Sequence, residues 1–223
     1  MKKIFLSFSI LAIAGFSACK KSSPAPSNSA IVMFVNGSAG TSSIDVSTNN
    51  NKVQAATNLA FLVNSGYQYV TAGSENIAIV LTNLGTPLKS ATANFTANAH
   101  YSVFAGGLVT NPSIVVTADD LAAPSSGNAK IRFVNLSNDA LTETANIGTT
   151  AFATGITSQS YSSFSEVASG SYTIKAGDPS NISTVVSVGP SQLSAGKIYT
   201  VMLTGTLSGT STSGLTLTII NNN

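Results

Sequence analysis

The sequence predicts an all-β protein built from two tandem antiparallel β-sandwich domains. Three observations carry that reading. One phrase occurs twice, as Ile31-Val32-Met33-Phe34-Val35-Asn36 and as Lys130-Ile131-Arg132-Phe133-Val134-Asn135, and each copy opens a segment of roughly 95 residues whose later features recur. Turn residues punctuate short runs of alternating polarity about every 8–12 positions, the spacing of sandwich or barrel strands. No stretch sustains a helical apolar period over three turns, and residues 54–62 come nearest to one.

A chain of 223 residues is long enough for two small cores, because a segment of about 95 residues can bury one of its own. Hydrophobic residues make up 43% of it and charged residues only 8%, against about 25% charged in an average domain. Disordered chains show the opposite balance, so the surface polarity of a folded protein must come here from Ser, Thr and Asn. The net charge of +2 belongs to the front of the chain: Lys2, Lys3, Lys20 and Lys21 precede Ser22, and from there six basic side chains face eight acidic ones. No basic stripe remains to neutralise a phosphate backbone, so nucleic acid is not an expected partner.

Residues 1–18 read as an export signal, with Lys2-Lys3 as the charged start, an apolar run over residues 4–16 and small Ser17-Ala18 before Cys19. The apolar run is 13 residues long, short of the roughly 20 that a spanning helix needs. Cys19 is the only cysteine and has no disulfide partner within the chain. Phe16-Ser17-Ala18-Cys19 resembles a bacterial lipobox, with Phe16 where an aliphatic residue is usual. That resemblance implies lipidation of Cys19 with several acyl chains, enough for stable membrane anchoring. Residues 19–29 then form the lipidated cysteine and a flexible tether, stiffened by Pro24 and Pro26 and solvated by Ser and Asn. The run is similar to the start of Bacteroidetes-type lipoproteins, which implies the envelope of a Gram-negative bacterium and the outer membrane. Lys20 and Lys21 depart from the acidic pattern that favours the cell surface in that group, so the periplasmic and external faces both stay open.

Repeat 1 is assigned to residues 30–118. Strands are expected at 31–35, 43–47, 66–70, 75–81, 90–95, 100–104 and 113–117, with turns at Asn36-Gly37, at 48–51 and at Ala72-Gly73-Ser74, and with Gly106-Gly107 as a strand stop. Asn36-Gly37-Ser38 and Asn94-Phe95-Thr96 fit a glycosylation sequon, but both read as turn asparagines bonding their own backbone. His100 is the only histidine. Without a second ligand or base in its vicinity, it is read as an exposed polar residue at a strand start, matched to Lys197 of the second repeat.

Residues 119–128, DDLAAPSSGN, read as a linker. Asp119-Asp120 would suit calcium only within a repeating oxygen-ligand loop, which is lacking, and no metal site is expected. Repeat 2 is assigned to residues 129–223. In its first strand Ile131 and Phe133 face the core, with Phe133 equivalent to Phe34, while Lys130 and Arg132 point outward. The outward positions of the first copy are Ile31 and Met33. That strand is therefore apolar on both faces, and its outer face is expected to be covered by the tether or by the other repeat. Further strands are expected at 143–147, 161–167, 171–175, 182–188, 197–204 and 215–220, with Ala168-Ser169-Gly170 as the counterpart of Ala72-Gly73-Ser74. Residues 221–223 are expected to fray.

Three stretches of repeat 2 carry a family resemblance: Asn135-Leu136-Ser137-Asn138-Asp139-Ala140, Ala168-Ser169-Gly170-Ser171-Tyr172-Thr173-Ile174, and Leu193-Ser194-Ala195-Gly196-Lys197-Ile198-Tyr199-Thr200-Val201. They resemble the bacterial family catalogued as domain of unknown function 4397, with Asn138 where Pro is usual. Repeat 1 is a degraded copy: Asn36-Gly37-Ser38-Ala39-Gly40 lacks the Asp, and Ala97-Asn98-Ala99-His100-Tyr101 replaces the Gly-Lys. The resemblance implies envelope or extracellular β-sandwich modules without an established activity, and the sandwiches are expected to be immunoglobulin-like or prealbumin-like.

The expected function is that of a lipid-anchored cell-envelope protein with a non-enzymatic binding or structural role, meeting a glycan or a protein partner through its loops. Candidate contact residues are Asn135, Ser137, Asn138 and Asp139 in the first loop of repeat 2, with Tyr161 and Phe164 as aromatic surfaces. No catalytic residue and no cofactor are expected. Two alternatives stand beside this reading. A hydrolase needs a nucleophile with its base, or paired carboxylates, and two carboxylates from distant strands in one cleft would favour it. A passive spacer would be favoured by rigid, extensive packing between the repeats.

Overall fold

The computed structural model describes residues 28–223 apart from residues 83, 85, 86 and 211. Cys19, the signal and nearly all of the tether lie outside the described residues. The chain first forms β1 (Ser29–Asn36), β2 (Ser43–Thr48), β3 (Asn51–Lys52), β4 (Leu59–Ala60), β5 (Asn64–Thr71), β6 (Gly73–Leu81), β7 (Pro87–Phe95), β8 (His100–Leu108) and β9 (Asn111–Ala118). They make two sheets, ordered β5-β1-β8-β9 and β3-β2-β6-β7, with β4 also pairing β2. The chain then forms β10 (Asn128–Asn135), β11 (Thr142–Ile147), β12 (Thr150–Thr157), β13 (Ser160–Tyr161), β14 (Ser165–Ala168), β15 (Gly170–Gly177), β16 (Val186–Leu193), β17 (Ile198–Thr204) and β18 (Thr216–Asn221). Their sheets are ordered β13-β10-β17-β18, with β14 also on β10, and β12-β11-β15-β16.

The fold is all-β, and the two sheet pairs repeat one plan. The first two strands of each half lie in different sheets. In the immunoglobulin order they share one, so the prealbumin-like form of the expected sandwich is the one that fits. Pairing between named strands is antiparallel except at the centre of each first sheet, where β1 runs parallel to β8 and β10 parallel to β17. Alternation along these strands fills one core per sheet pair. Ala30, Val32 and Phe34 enter the first core with Val103 and Ala105. Ala129, Ile131 and Phe133 enter the second with Val201 and Leu203. Phe34 stands opposite Val103 as Phe133 stands opposite Val201.

A third apolar cluster joins the halves. Met33, Val35, Phe104 and Val115 from one first sheet meet Val134, Leu136, Met202 and Ile220 from the other. The outer face of β1, apolar in sequence, is thus covered by the second half.

Several elements differ from expectation, each for a physical reason. Gly106 and Gly107 do not stop β8, which runs through them to Leu108. A Cβ on Gly106 would meet Ser113 Oγ at 2.7 Å and Leu136 Cδ2 at 3.1 Å, so glycine there permits close approach of the second half. β12 was not foreseen, because it is an edge strand of mixed Ala, Thr and Gly with most side chains half or fully exposed. The expected strand at 161–167 is two strands, since Ser162 Oγ accepts the Phe133 amide (2.9 Å) where a ladder carbonyl would otherwise sit. Ser65 Oγ accepts the Phe34 amide (3.0 Å) in the first half, where the ladder shifts register but β5 stays continuous. Residues 182–184 form a 3₁₀ turn before β16, and another spans Gln54–Ala56. The C-terminus is pinned. Asn222 is buried and its amide donates to the Ile198 carbonyl (2.8 Å), and Asn223 Oδ1 accepts the Ile198 amide (2.9 Å).

Candidate functional site

The seam between the halves holds a closed polar network. Arg132 points outward from its own core, as alternation requires, yet its side chain is only 1% exposed because the first half covers it. It pairs with Asp119 Oδ1 at 2.7 Å and donates to Thr200 Oγ1 (2.9 Å), Thr117 Oγ1 (2.8 Å) and Ser102 Oγ (3.1 Å). Asp119 Oδ2 accepts from the Tyr67 and Ser102 hydroxyls, both at 2.6 Å, and Oδ1 accepts from Thr117 at 3.1 Å. Asn222 closes the ring, taking the Thr200 hydroxyl proton (2.8 Å) and donating to the Tyr67 oxygen (3.2 Å). Burial, and then the Asp119 charge, push the Tyr67 phenol far above its ordinary value, which keeps it a donor. Phe104 and Phe164 rings flank the guanidinium at 5.7 and 4.5 Å. Asp120 pairs with Lys130 at 2.8 Å. The acidic pair of the linker therefore answers two cations of the protein itself.

The candidate contact loop serves the same seam. Asn135 is fully buried, its Nδ2 donating to the carbonyls of Ala140 (2.8 Å) and Ile156 (3.3 Å) and its Oδ1 accepting the Ser137 amide (3.1 Å). Ser137 is fully buried too and accepts the amides of Asp139 (3.3 Å) and Ala140 (3.1 Å). The side chains of Asn135 and Ser137 therefore hold the loop from inside. Asn36 does the same in the first half, bonding the Ser38 amide (3.2 Å) and the Leu59 carbonyl (3.0 Å), as a turn asparagine should. Asn138 reaches across the seam to the Asn111 carbonyl (3.1 Å) and accepts from Gln159 Nε2 (3.1 Å). Gln159 also accepts from the Ser113 hydroxyl. Asp139 holds the Leu207 amide (2.9 Å) and is half-buried.

Tyr161 is 45% exposed, and with Phe164 it borders a cleft of about 270 Å³ that also includes Ala118 and Asp120. Phe164 itself is half-buried against Arg132. His100 is half-buried with Tyr67 edge-on at 5.4 Å. Its match to Lys197 does not hold. The parallel ladders pair Ile31 with His100 and Lys130 with Ile198, so the equivalent slot carries a buried isoleucine.

Beside the loop that follows β10, the second sandwich has a chemistry that sequence reading missed. A cleft of about 410 Å³ is bordered by Asp139, Glu143 and Asp178, by Asn181 and Thr184, and by Leu141 and Leu207. Glu143 is 1% exposed, and its Oε2 has no hydrogen-bond partner among the described residues. Burial, with the Asp178 charge as the second cause, pushes its carboxyl up to about 7. Its position was legible as a strand start, but its nearness to Asp178 depends on β11 pairing with β15, which sets Thr144 opposite Gly177. A third cleft, of about 430 Å³, opens beside Phe152, Val167, Tyr172 and Glu166. Among the described residues no group of three or more His, Cys, Asp or Glu is placed to hold a metal. No helix among them is long and apolar enough to cross a membrane.

No curated protein matches the chain. Among solved structures, a family-26 carbohydrate-binding module from Eubacterium rectale, in complex with maltoheptaose, aligns over 87% of this chain and 97% of its own at 10% identity and a TM-score of 0.27. At that score the likeness carries no argument about ligand or mechanism. A family match spans residues 30–142, which is repeat 1 with the opening strand and loop of repeat 2. The cleaner motifs lie in the second copy, but the match rests mainly on the first. It takes in just over half of the chain, and the protein therefore belongs to the family described as a domain of unknown function, DUF4397.

Proposed function

We propose that the protein is a non-enzymatic binding protein of a Gram-negative envelope, held at the outer membrane by lipid on Cys19. Its two sandwiches act as tandem domains, residues 30–118 and 129–223, that present a surface to a glycan or a protein partner. The observation that supports this most is the seam. Loop side chains that would otherwise be free are engaged in locking the halves together, and the open clefts then lie on a rigid support, which lowers the entropic cost of binding. The same seam favours a spacer role as a second reading. The cleft beside Glu143 gathers carboxylates from β11 and from the residue that follows the adjacent β15, rather than from distant strands, and a hydrolase stands as the alternative reading.

Lipid labelling and envelope capture test the proposal together. Cys19→Ser is expected to abolish incorporation of labelled fatty acid and retention after a high-salt wash, while leaving the circular dichroism spectrum unchanged. Retention of the unlabelled variant would refute the anchor. Turnover of envelope polysaccharide that disappears in Glu143→Gln would replace binding with hydrolysis.

A further inference from the structure

The two halves disagree at one rung of an otherwise shared plan. In the first sandwich Ile44 on β2 pairs with Leu81 on β6, and Thr48 pairs with Ile77. In the second, Ile147 on β11 pairs with Ile174 on β15, and the ladder runs back to Thr144 opposite Gly177. Continuing that register one residue past the end of β15 sets Glu143 against Asp178, and both border one cleft, so two acids stand where the first half has isoleucine and leucine. Ile44 is a buried core residue. Glu143 occupies the same inward position, fully buried, with Oε2 unpartnered. A buried carboxyl oxygen without a donor is costly, and local departures of this kind from a consistent fold mark functional positions.

The surroundings narrow the missing donor. Three of the chain's eight acidic residues border this cleft, and no Lys or Arg does. The carboxylates do not converge as a metal site. Two apolar side chains flank the acids and are left open: Leu141 is 70% exposed and Leu207 47%. Acids beside exposed leucines suit a cation carried on a hydrocarbon stem. A bare ion has no use for the leucines, and a phosphate or carboxylate would be repelled.

We propose that the cleft formed by Asp139, Glu143, Asp178, Leu141 and Leu207 binds an ammonium or guanidinium group on an aliphatic stem, as presented by a Lys or Arg side chain of a partner protein, with a free polyamine as the other source of that chemistry. This rests on the binding reading above and makes its partner a basic protein segment. It also implies a pH response. Glu143 faces Asp178 and Asp139, and a carboxyl that titrates near 7 offers full charge to a cation only above that pH.

Calorimetric titration of the full chain tests the assignment with four probes: acetyl-Leu-Lys-Leu-amide, the same peptide with norleucine for lysine, spermidine, and calcium chloride. The lysine peptide is expected to bind at pH 8, at least tenfold more weakly at pH 6, and at least tenfold more weakly to Glu143→Gln. Asp178→Asn, a half-exposed change that leaves the core untouched, should weaken binding severalfold and serves as the folding-safe control. Spermidine outcompeting the peptide would assign the cleft to free polyamines within the same chemistry. Equal binding of the norleucine peptide, indifference to Glu143→Gln, binding of calcium alone, or no heat with any probe would each overturn the proposal. None of these results touches the Cys19 labelling experiment, so the anchor stands or falls separately.

Discussion

Glu143 shows how one residue can set a property of the protein. In the unfolded chain its carboxyl titrates near the ordinary glutamate value of 4.5, whereas in the folded protein burial and Asp178 raise it to about 7. Between those values the folded state holds a proton that the unfolded chain has released. Stability from this group is therefore greatest at low pH, falls as pH rises through the window from 4.5 to 7, and is flat above it. Glu143→Gln removes the titration and the buried charge together. Urea unfolding at pH 5 and pH 8 is expected to show the variant gaining on the wild type by about 1–2 kcal/mol at the higher pH. The same gap at both pH values would mean that Glu143 ionises freely in the fold.

At the scale of elements, the loop after the first strand of each half is an internal brace. Asn135 satisfies two carbonyls and one amide that would otherwise be buried without partners. Asn135→Ala is expected to cost about 2–4 kcal/mol, and Asn36→Ala a similar amount, because several backbone groups lose their partner at once. Asn138→Ala, at a half-buried position with bonds across the seam, should cost about 1 kcal/mol. Chemical denaturation of the three variants measures the ranking, and an Asn135→Ala protein as stable as wild type would contradict the brace. These residues also show how far sequence reaches. The repeated phrase disclosed the strand, its inward Phe133 and its outward Arg132, because alternation is a local property. It did not disclose that Arg132 is covered, since its cover comes from Thr117, Asp119 and Ser102, all outside the strand. Asn135 and Ser137 were identified as belonging to a polar loop, but whether such a loop faces water or folds onto itself depends on partners such as Ile156 and Ala140. Glu143 resembles any charged residue at a strand start until the pairing of β11 with β15 brings it to the same cleft as Asp178.

For the whole molecule the question is whether the halves unfold together. An apolar seam from β1, β8 and β9 on one side and β10, β17 and β18 on the other lies beside a buried ion pair whose hydroxyl partners both donate and accept. Such a pair adds little over well-packed apolar groups, but removing one partner strands the other charge, at a cost of about 3–5 kcal/mol. Asp119 is the critical member, because Arg132, Tyr67, Ser102 and Thr117 all bond to it. Calorimetry of the wild type is expected to give one cooperative transition whose van't Hoff and calorimetric enthalpies agree. Asp119→Ala is expected to lower stability by about 3–5 kcal/mol and to split that transition in two, with hydrogen exchange rising first at Met33, Val134 and Met202. The paired change Arg132→Met with Asp119→Leu should recover most of the loss, since no charge is then left buried alone. Two independent transitions in the wild type, each unmoved by Asp119→Ala, would mean that the halves are separate bodies that merely touch, and the rigid support assumed for the clefts would go with them.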